Sequence, residues 1–317
     1  MRALIYGGGA VGLGLASCLL KSGCPVEIVA REKTIRSLRR DGLLRVGIFG
    51  KYHAVPLEFD CYTSLNELAK QAYDYVLVCT KSFDSFQAAK DLNEHKSLFN
   101  KITKIVLFQN GWGNAEAFIP FFDEQTVYTA RVITGFRRQK PNEVEITVHA
   151  DSIHIGSLFG ANLSAVRELA EAINKGGIPC QTTGRIGKDI WAKMLYNCAL
   201  NPLGAILDVP YGTLAEHEFT RNIMNGIIEE VFAVMTKAGY ETHWESVKDF
   251  LEVFYGKLVP DTAEHKSSTL QDLTAKKTTE IDALNGAVIK LAGKFHIPVP
   301  CNSIVYNIIK FIEAQNL

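Results

Sequence analysis

The chain opens on "RALIYGGGAVGLG", a short apolar run that passes into Gly7, Gly9 and Gly12 and then into a helical pattern from Ala10 to Lys21. Strand, glycine turn and helix in that order leave little choice of geometry. Gly7 permits a tight turn, Gly9 lets the backbone approach a pyrophosphate, and Gly12 allows the helix to pack closely. The helix N-terminus offers free N–H groups to an anion. The expectation is a dinucleotide-binding domain whose three loop glycines hold the cofactor.

The residues that follow keep to that plan. "PVEIVAR", "YDYVLVCTK" and "KIVLFQN" are β-branched runs separated by helical patterns, one of them over residues 83–92, and such alternation predicts a parallel sheet covered on both faces. "TVYTARVITGFR", "EVEITVHA" and "SIHIGS" come next, and the Pro141-Asn142 turn between the first two predicts a local antiparallel addition. A helix over 163–175 and the strand "IPCQTTG" close this part. Beyond it only helical periodicity remains, over 188–207, 217–238, 244–257, 279–294 and 302–314. The fold class is therefore α/β, a Rossmann-type domain over 1–185 followed by an all-α domain over 186–317, with the junction among the glycines at 184–187.

Lys plus Arg and Asp plus Glu balance at 34 each in 317 residues, so no basic field gathers nucleic acid. The seven cysteines, at 18, 24, 61, 79, 180, 198 and 301, form no C-x-x-C pair and no zinc spacing, which fits a reducing compartment and no metal. The start lacks a signal-peptide apolar region, and no run of about 18 apolar residues could span a membrane. A cytoplasmic location is expected.

Arg31 ends the second strand, where an NAD-preferring site carries an acid for the ribose 2′-hydroxyl; an arginine there suits a 2′-phosphate. Lys33, Arg36, Arg39 and Arg40 add to that field, while the adjacent Glu32 keeps NAD open. Lys81 and Asn110 stand at the carboxyl ends of two further strands, the edge at which an open α/β sheet binds ligands.

In the helical half, "KMLYNCALNP" sets Lys193, Asn197 and Asn201 at i, i+4 and i+8 among apolar neighbours. On an ideal helix the outer two lie about 12 Å apart and about 80° around the axis, so the row could line a cleft wall. An ammonium can stabilise the negative charge that hydride delivery leaves on a ketone oxygen and then donate the proton. Pro202 is expected to kink or end the helix. Ser268 and Gln271 fit a capping box, and a break near 276–279 should let Thr279 cap a new helix beginning at Glu280.

These motifs in this order, "GGGAVG", Arg31, "CTKS", "QNGWGN", "WAKMLYNCALNPL", "SSTLQD" and "TEIDALNG", resemble the ketopantoate reductase family over nearly the whole chain. The resemblance implies NADPH-dependent reduction of a small 2-keto acid in a cleft between the domains, with Lys193 as general acid and Glu280 near it or near the cofactor ribose. Asn197 and Asn201 would bind substrate and Ser268 its carboxylate. Gly7, Gly9, Gly12, Arg31, Lys81 and Asn110 would bind the cofactor, Asn110 on the nicotinamide side. A homodimer stays open. Two departures bear on which keto acid is used: Tyr211 stands where the family often has Asn, and the segment over 133–156 adds Arg137, Arg138 and Lys140. A hydroxyacid dehydrogenase with another substrate and a non-catalytic NADP(H)-binding sensor are the alternatives.

Overall fold

The opening strand and helix are Ala3–Tyr6 (β1) and Ala10–Lys21 (α1). The computed structural model describes residues 1–69 and 73–316, and the chain divides into one unit of Met1–Gln109 with Asn114–Ile186 and another of Asn110–Gly113 with everything from Gly187 onward. In the first unit β1 and α1 are followed by Val26–Val29 (β2), Glu32–Asp41 (α2), Leu43–Gly47 (β3), Tyr52–Ala54 (β4), Asp60–Tyr62 (β5) and Tyr75–Val78 (β6). Ser85–Glu94 (α3), Lys104–Leu107 (β7), Val127–Arg131 (β8), Thr134–Lys140 (β9) and Glu143–His149 (β10) come next. Ile153–Gly156 (β11), Ser164–Lys175 (α4) and Cys180–Thr182 (β12) complete it.

The main sheet runs β12-β11-β8-β7-β6-β1-β2-β5. From β5 to β8 every pairing is parallel, and the order in which the chain visits these strands is that of a dinucleotide-binding fold, with its switch point between β1 and β6. Alternate residues serve opposite faces. Ala3 and Ile5 of β1 pack in the cluster built around α1, whereas Leu4 joins Val76, Val78 and the buried face of α3. Two covered faces explain why these strands read as continuous apolar runs.

The run "TVYTARVITGFR" is two strands, not one. Its first half, β8, pairs parallel with β7 and antiparallel with β11, while its second half, β9, crosses into a separate sheet of order β4-β3-β10-β9. The antiparallel addition at Pro141-Asn142 is present, with Lys140 opposite Glu143, but it belongs to that second sheet. α1 packs on both sheets, and Gly12 through Leu19 are buried without interruption. A helix with a sheet on each side must be apolar nearly all round, as "VGLGLASCLL" is.

The second unit is helical: Ile186–Leu207 (α5), Tyr211–Glu216 (α6), Glu218–Lys237 (α7), Val247–Val253 (α8), Ser268–Thr274 (α9), Asn285–Phe295 (α10) and Pro300–Asn316 (α11). Three expectations need correction here. Pro202 does not end α5, which continues to Leu207. The carbonyl of Cys198, deprived of an N–H by the proline, accepts from Asn285 Nδ2 at 3.1 Å, and Asn285 in turn reaches Asn302 Oδ1 at 2.9 Å. A side chain from another helix thus supplies the missing donor.

The cap of α9 is Ser267, not Ser268. Its fully buried hydroxyl accepts from Leu270 N at 3.0 Å and donates to the carbonyl of Asn201 at 3.0 Å, while Gln271 folds back onto the Lys266 carbonyl. Burial against α5 selects which of the two serines caps. The break after α9 is present, with Lys276 at φ +52°, and Thr279 Oγ1 accepts from Ile281 N at 3.2 Å. What starts there is only a 3-10 turn, Ile281–Ala283, and the α-helix begins at Asn285.

Candidate active site

The glycine loop follows β1. Gly7 has φ +112°, a region that side chains disfavour, and a Cβ on it would stand 2.7 Å from the Thr80 nitrogen. A Cβ on Gly12 would stand 2.0 Å from the Gly7 carbonyl oxygen. Gly9 differs: its nearest neighbour would be the Cys79 oxygen at 3.8 Å, which leaves room above the loop. Gly9 is also the N-cap of α1, with no side chain capping the helix and no acid in its first turn. This backbone cradle fits a pyrophosphate.

Arg31 is the exposed N-cap of α2. Glu32 accepts from Arg36 Nε at 2.5 Å, Arg39 donates to the Cys61 carbonyl at 2.8 Å, and Arg40 pairs with Asp41 at 2.7 Å. The acid that kept NAD open is therefore already engaged. Lys81 caps the 3-10 turn Ser82–Asp84 after β6, and Gln109 Nε2 donates to both Thr80 Oγ1 and the Lys81 carbonyl at 3.1 Å. Gln109, which the sequence did not mark, thereby ties the end of β7 to the segment carrying Lys81.

In the second unit Lys193 Nζ donates to Asn110 Oδ1 at 2.5 Å, and Asn110 Nδ2 donates to Glu280 Oε2 at 3.2 Å. Asn110 was expected on the nicotinamide side; its amide here bridges the lysine and the carboxylate. Each end of the amide has its own partner, so its orientation is fixed. The placement follows from the backbone, since Trp112 N donates to the Ala283 carbonyl at 2.8 Å and lays 110–113 along the 3-10 turn that follows Glu280. Trp112 also packs on Trp191 and Tyr240, with centroids 4.9 and 4.6 Å away.

The stripe is longer than the sequence reading made it. Asp189, buried one turn before Lys193, continues the four-residue spacing, and His243 Nε2 lies 2.7 Å from its Oδ1. Asn197 and Asn201 are 8% and 4% exposed. Ser268 is half-buried in the first turn of α9, and among the described residues its hydroxyl makes no hydrogen bond to Lys193, Asn197 or Asn201.

Tyr211 opens α6 and donates its hydroxyl proton to Asn201 Oδ1 at 2.5 Å. Burial pushes this phenol well above its ordinary pKa, with Tyr196 adding to the rise, so it stays a neutral donor. A buried phenol O–H needs an acceptor, and an amide offers only its oxygen; the Asn201 NH2 is thereby committed to point elsewhere. If Asn201 binds an acid substrate as expected, Tyr211→Phe should raise its KM about tenfold, the worth of one positioned hydrogen bond, with little change in kcat. Equal kinetics for variant and wild type would show that the phenol has no part in orienting the amide.

Arg137, expected to bear on the acid substrate, instead pairs with Glu145 on the exposed face of the second sheet, Nη2 to Oε2 at 2.6 Å. Its neighbour Arg138 points the other way and donates to Thr34 Oγ1 at 2.6 Å. Successive strand residues face opposite sides, so one arginine goes to solvent and the next to α2.

Residues 3–163 match the family described as ketopantoate reductase PanE/ApbA, and residues 185–313 match its C-terminal domain. A 2-dehydropantoate 2-reductase of Aquifex aeolicus is 35% identical over 318 residues, covering 100% of this chain and 98% of that protein. The crystal structure of a PanE/ApbA family ketopantoate reductase from Ralstonia eutropha JMP134 superposes with TM-score 0.86 at 27% identity, over 100% of this chain and 99% of that one. D-mandelate dehydrogenase, in its ternary structure with NADH and anilino(oxo)acetate, shares the fold with TM-score 0.88 at 21% identity, over 100% and 99%.

Proposed function

The chain belongs to the ketopantoate reductase family, and on that premise we propose that it reduces ketopantoate, or a closely related small 2-keto acid, to the 2-hydroxy acid with Lys193 as general acid. It is an NADP-dependent oxidoreductase of that family. NADPH, when bound, supplies a hydride to the carbonyl carbon. The Lys193 ammonium stabilises the charge that develops on the carbonyl oxygen and transfers a proton from Nζ to it, then regains one from solvent. The observation that carries this reading is the chain from Lys193 through Asn110 to Glu280, which holds the ammonium in one direction.

The remaining residues bind. The amides of Asn197 and Asn201 suit the carbonyl, carboxylate and hydroxyl groups of such an acid, and Ser268 at the start of α9 suits the carboxylate. Gly7, Gly9 and Gly12 hold the pyrophosphate, Arg31 the 2′-phosphate, and Lys81 approaches the cofactor from the end of β6. The reading also carries a cytoplasmic location and a homodimer. Seven cysteines, none paired with another, support the first; Ile304, Ile308 and Phe311, exposed at i, i+4 and i+7 on α11, support the second. Among the described residues no helix is long and apolar enough to cross a membrane.

The test is NADPH oxidation across branched, linear and aromatic 2-keto acids. Turnover should be fastest with ketopantoate. A preference for an aromatic acid would favour the hydroxyacid dehydrogenase alternative. NADPH binding without oxidation by any acid would leave only the sensor reading.

A further inference from the structure

The basic residues near the end of β2 divide into those already committed and those that are not. Arg36, Arg39 and Arg40 each have an acid within reach, and Glu32 is held by Arg36. Arg31 makes no side-chain hydrogen bond among the described residues. Arg138 comes to the same place from β9 in the second sheet, more than a hundred residues later. Its guanidinium is pinned by neutral acceptors only: Nη2 on Thr34 Oγ1 at 2.6 Å and on the Pro141 carbonyl at 2.5 Å, with Nε on the Lys140 carbonyl at 3.3 Å. Among the described residues no carboxylate pairs with it.

Thr34 places this guanidinium relative to the glycine loop. Its Cγ2 lies 3.1 Å from where a Cβ on Gly8 would stand, and its backbone N donates to the Arg31 carbonyl at 2.8 Å. Partial desolvation first, and then the charge of Arg31, hold the Arg138 guanidinium below its ordinary pKa. Two like charges thus lie near enough to repel, linked through Thr34, whose hydroxyl meets one and whose backbone N meets the carbonyl of the other. Such a pair is relieved by an anion between the two.

We propose that Arg138 is a second 2′-phosphate ligand, closing on the adenosine ribose from the second sheet while Arg31 holds it from α2. A phosphate dianion accepts from two guanidiniums at once, and each charge-assisted bond exceeds a neutral one. NADH has only a hydroxyl at that position, so it gains nothing from either arginine. The second sheet is then a working part of cofactor selection. Arg137, on the opposite face, has no share in it.

The inference rests on the reading that the chain binds NADPH, and the experiment separates the two. Calorimetry would compare adenosine 2′,5′-bisphosphate with 5′-AMP, and NADPH with NADH, on wild type, Arg138→Ala and Arg137→Ala, with thermal unfolding of each variant. Arg138→Ala should weaken the bisphosphate and NADPH about tenfold or more and leave 5′-AMP and NADH within about twofold. Arg137→Ala should change none of them. If Arg138→Ala weakens all four alike, or none, while wild type still binds NADPH, Arg138 only supports Thr34 and α2, and the proposal is overturned. If wild type itself fails to bind NADPH, the cofactor reading falls and this proposal with it.

Discussion

Lys193→Ala is expected to lower kcat with the preferred 2-keto acid by about a thousandfold and to leave the Kd for NADPH within about twofold. Two effects combine. The variant loses the proton donor, and it loses the positive charge that meets the developing oxyanion. Lys193→Arg separates them: a guanidinium keeps the charge but does not give up its proton, so its activity should lie between that of the alanine variant and that of wild type. Asn110 then has an acceptor oxygen without its ammonium, while its other end remains on Glu280. Single-turnover rates with saturating NADPH, beside a fluorescence titration of NADPH, make the measurement. A kcat within a few-fold of wild type for Lys193→Ala would remove the lysine from the chemistry.

What could be read from the sequence is what short-range geometry determines. The bounds of α1 at Ala10–Lys21 follow from a glycine turn on one side and the loss of apolar periodicity on the other. The row at 193, 197 and 201 needs only 3.6 residues per turn. What could not be read depends on partners far along the chain. Pro202 signals a kink or a helix end by the local rules, and the donor that serves α5 past it is Asn285, 87 residues beyond the carbonyl it meets. The S-x-x-Q pattern favours Ser268 as the cap, but burial against α5 gives that place to Ser267. Tyr211 looks like a lost amide, yet in space its hydroxyl fixes the amide of Asn201. Arg137 and Arg138 read together as additions bearing on the substrate until a strand sends them to opposite sides.

The glycine loop gives the other large effect, because its glycines are required for different reasons. α1 lies between two sheets and has no room to retreat, so a Cβ on Gly12, 2.0 Å from the Gly7 oxygen and 3.1 Å from Cys79 Cβ, must displace the loop itself. Overpacking of that kind costs about 1–3 kcal/mol, and in a domain of this size each kcal/mol lowers Tm by about 2–4 °C. Gly12→Ala should therefore lose both stability and NADPH binding. Gly9→Ala should lose only the second. Its Cβ would meet nothing closer than the Cys79 oxygen at 3.8 Å, so Tm should hold within about 2 °C. The methyl would instead occupy the space through which a pyrophosphate reaches the N–H groups of α1, and NADPH affinity should fall about a hundredfold or more. Melting curves and NADPH titrations on the two variants read both quantities. A Gly9→Ala protein that binds NADPH as wild type does would mean that the pyrophosphate does not sit on this loop.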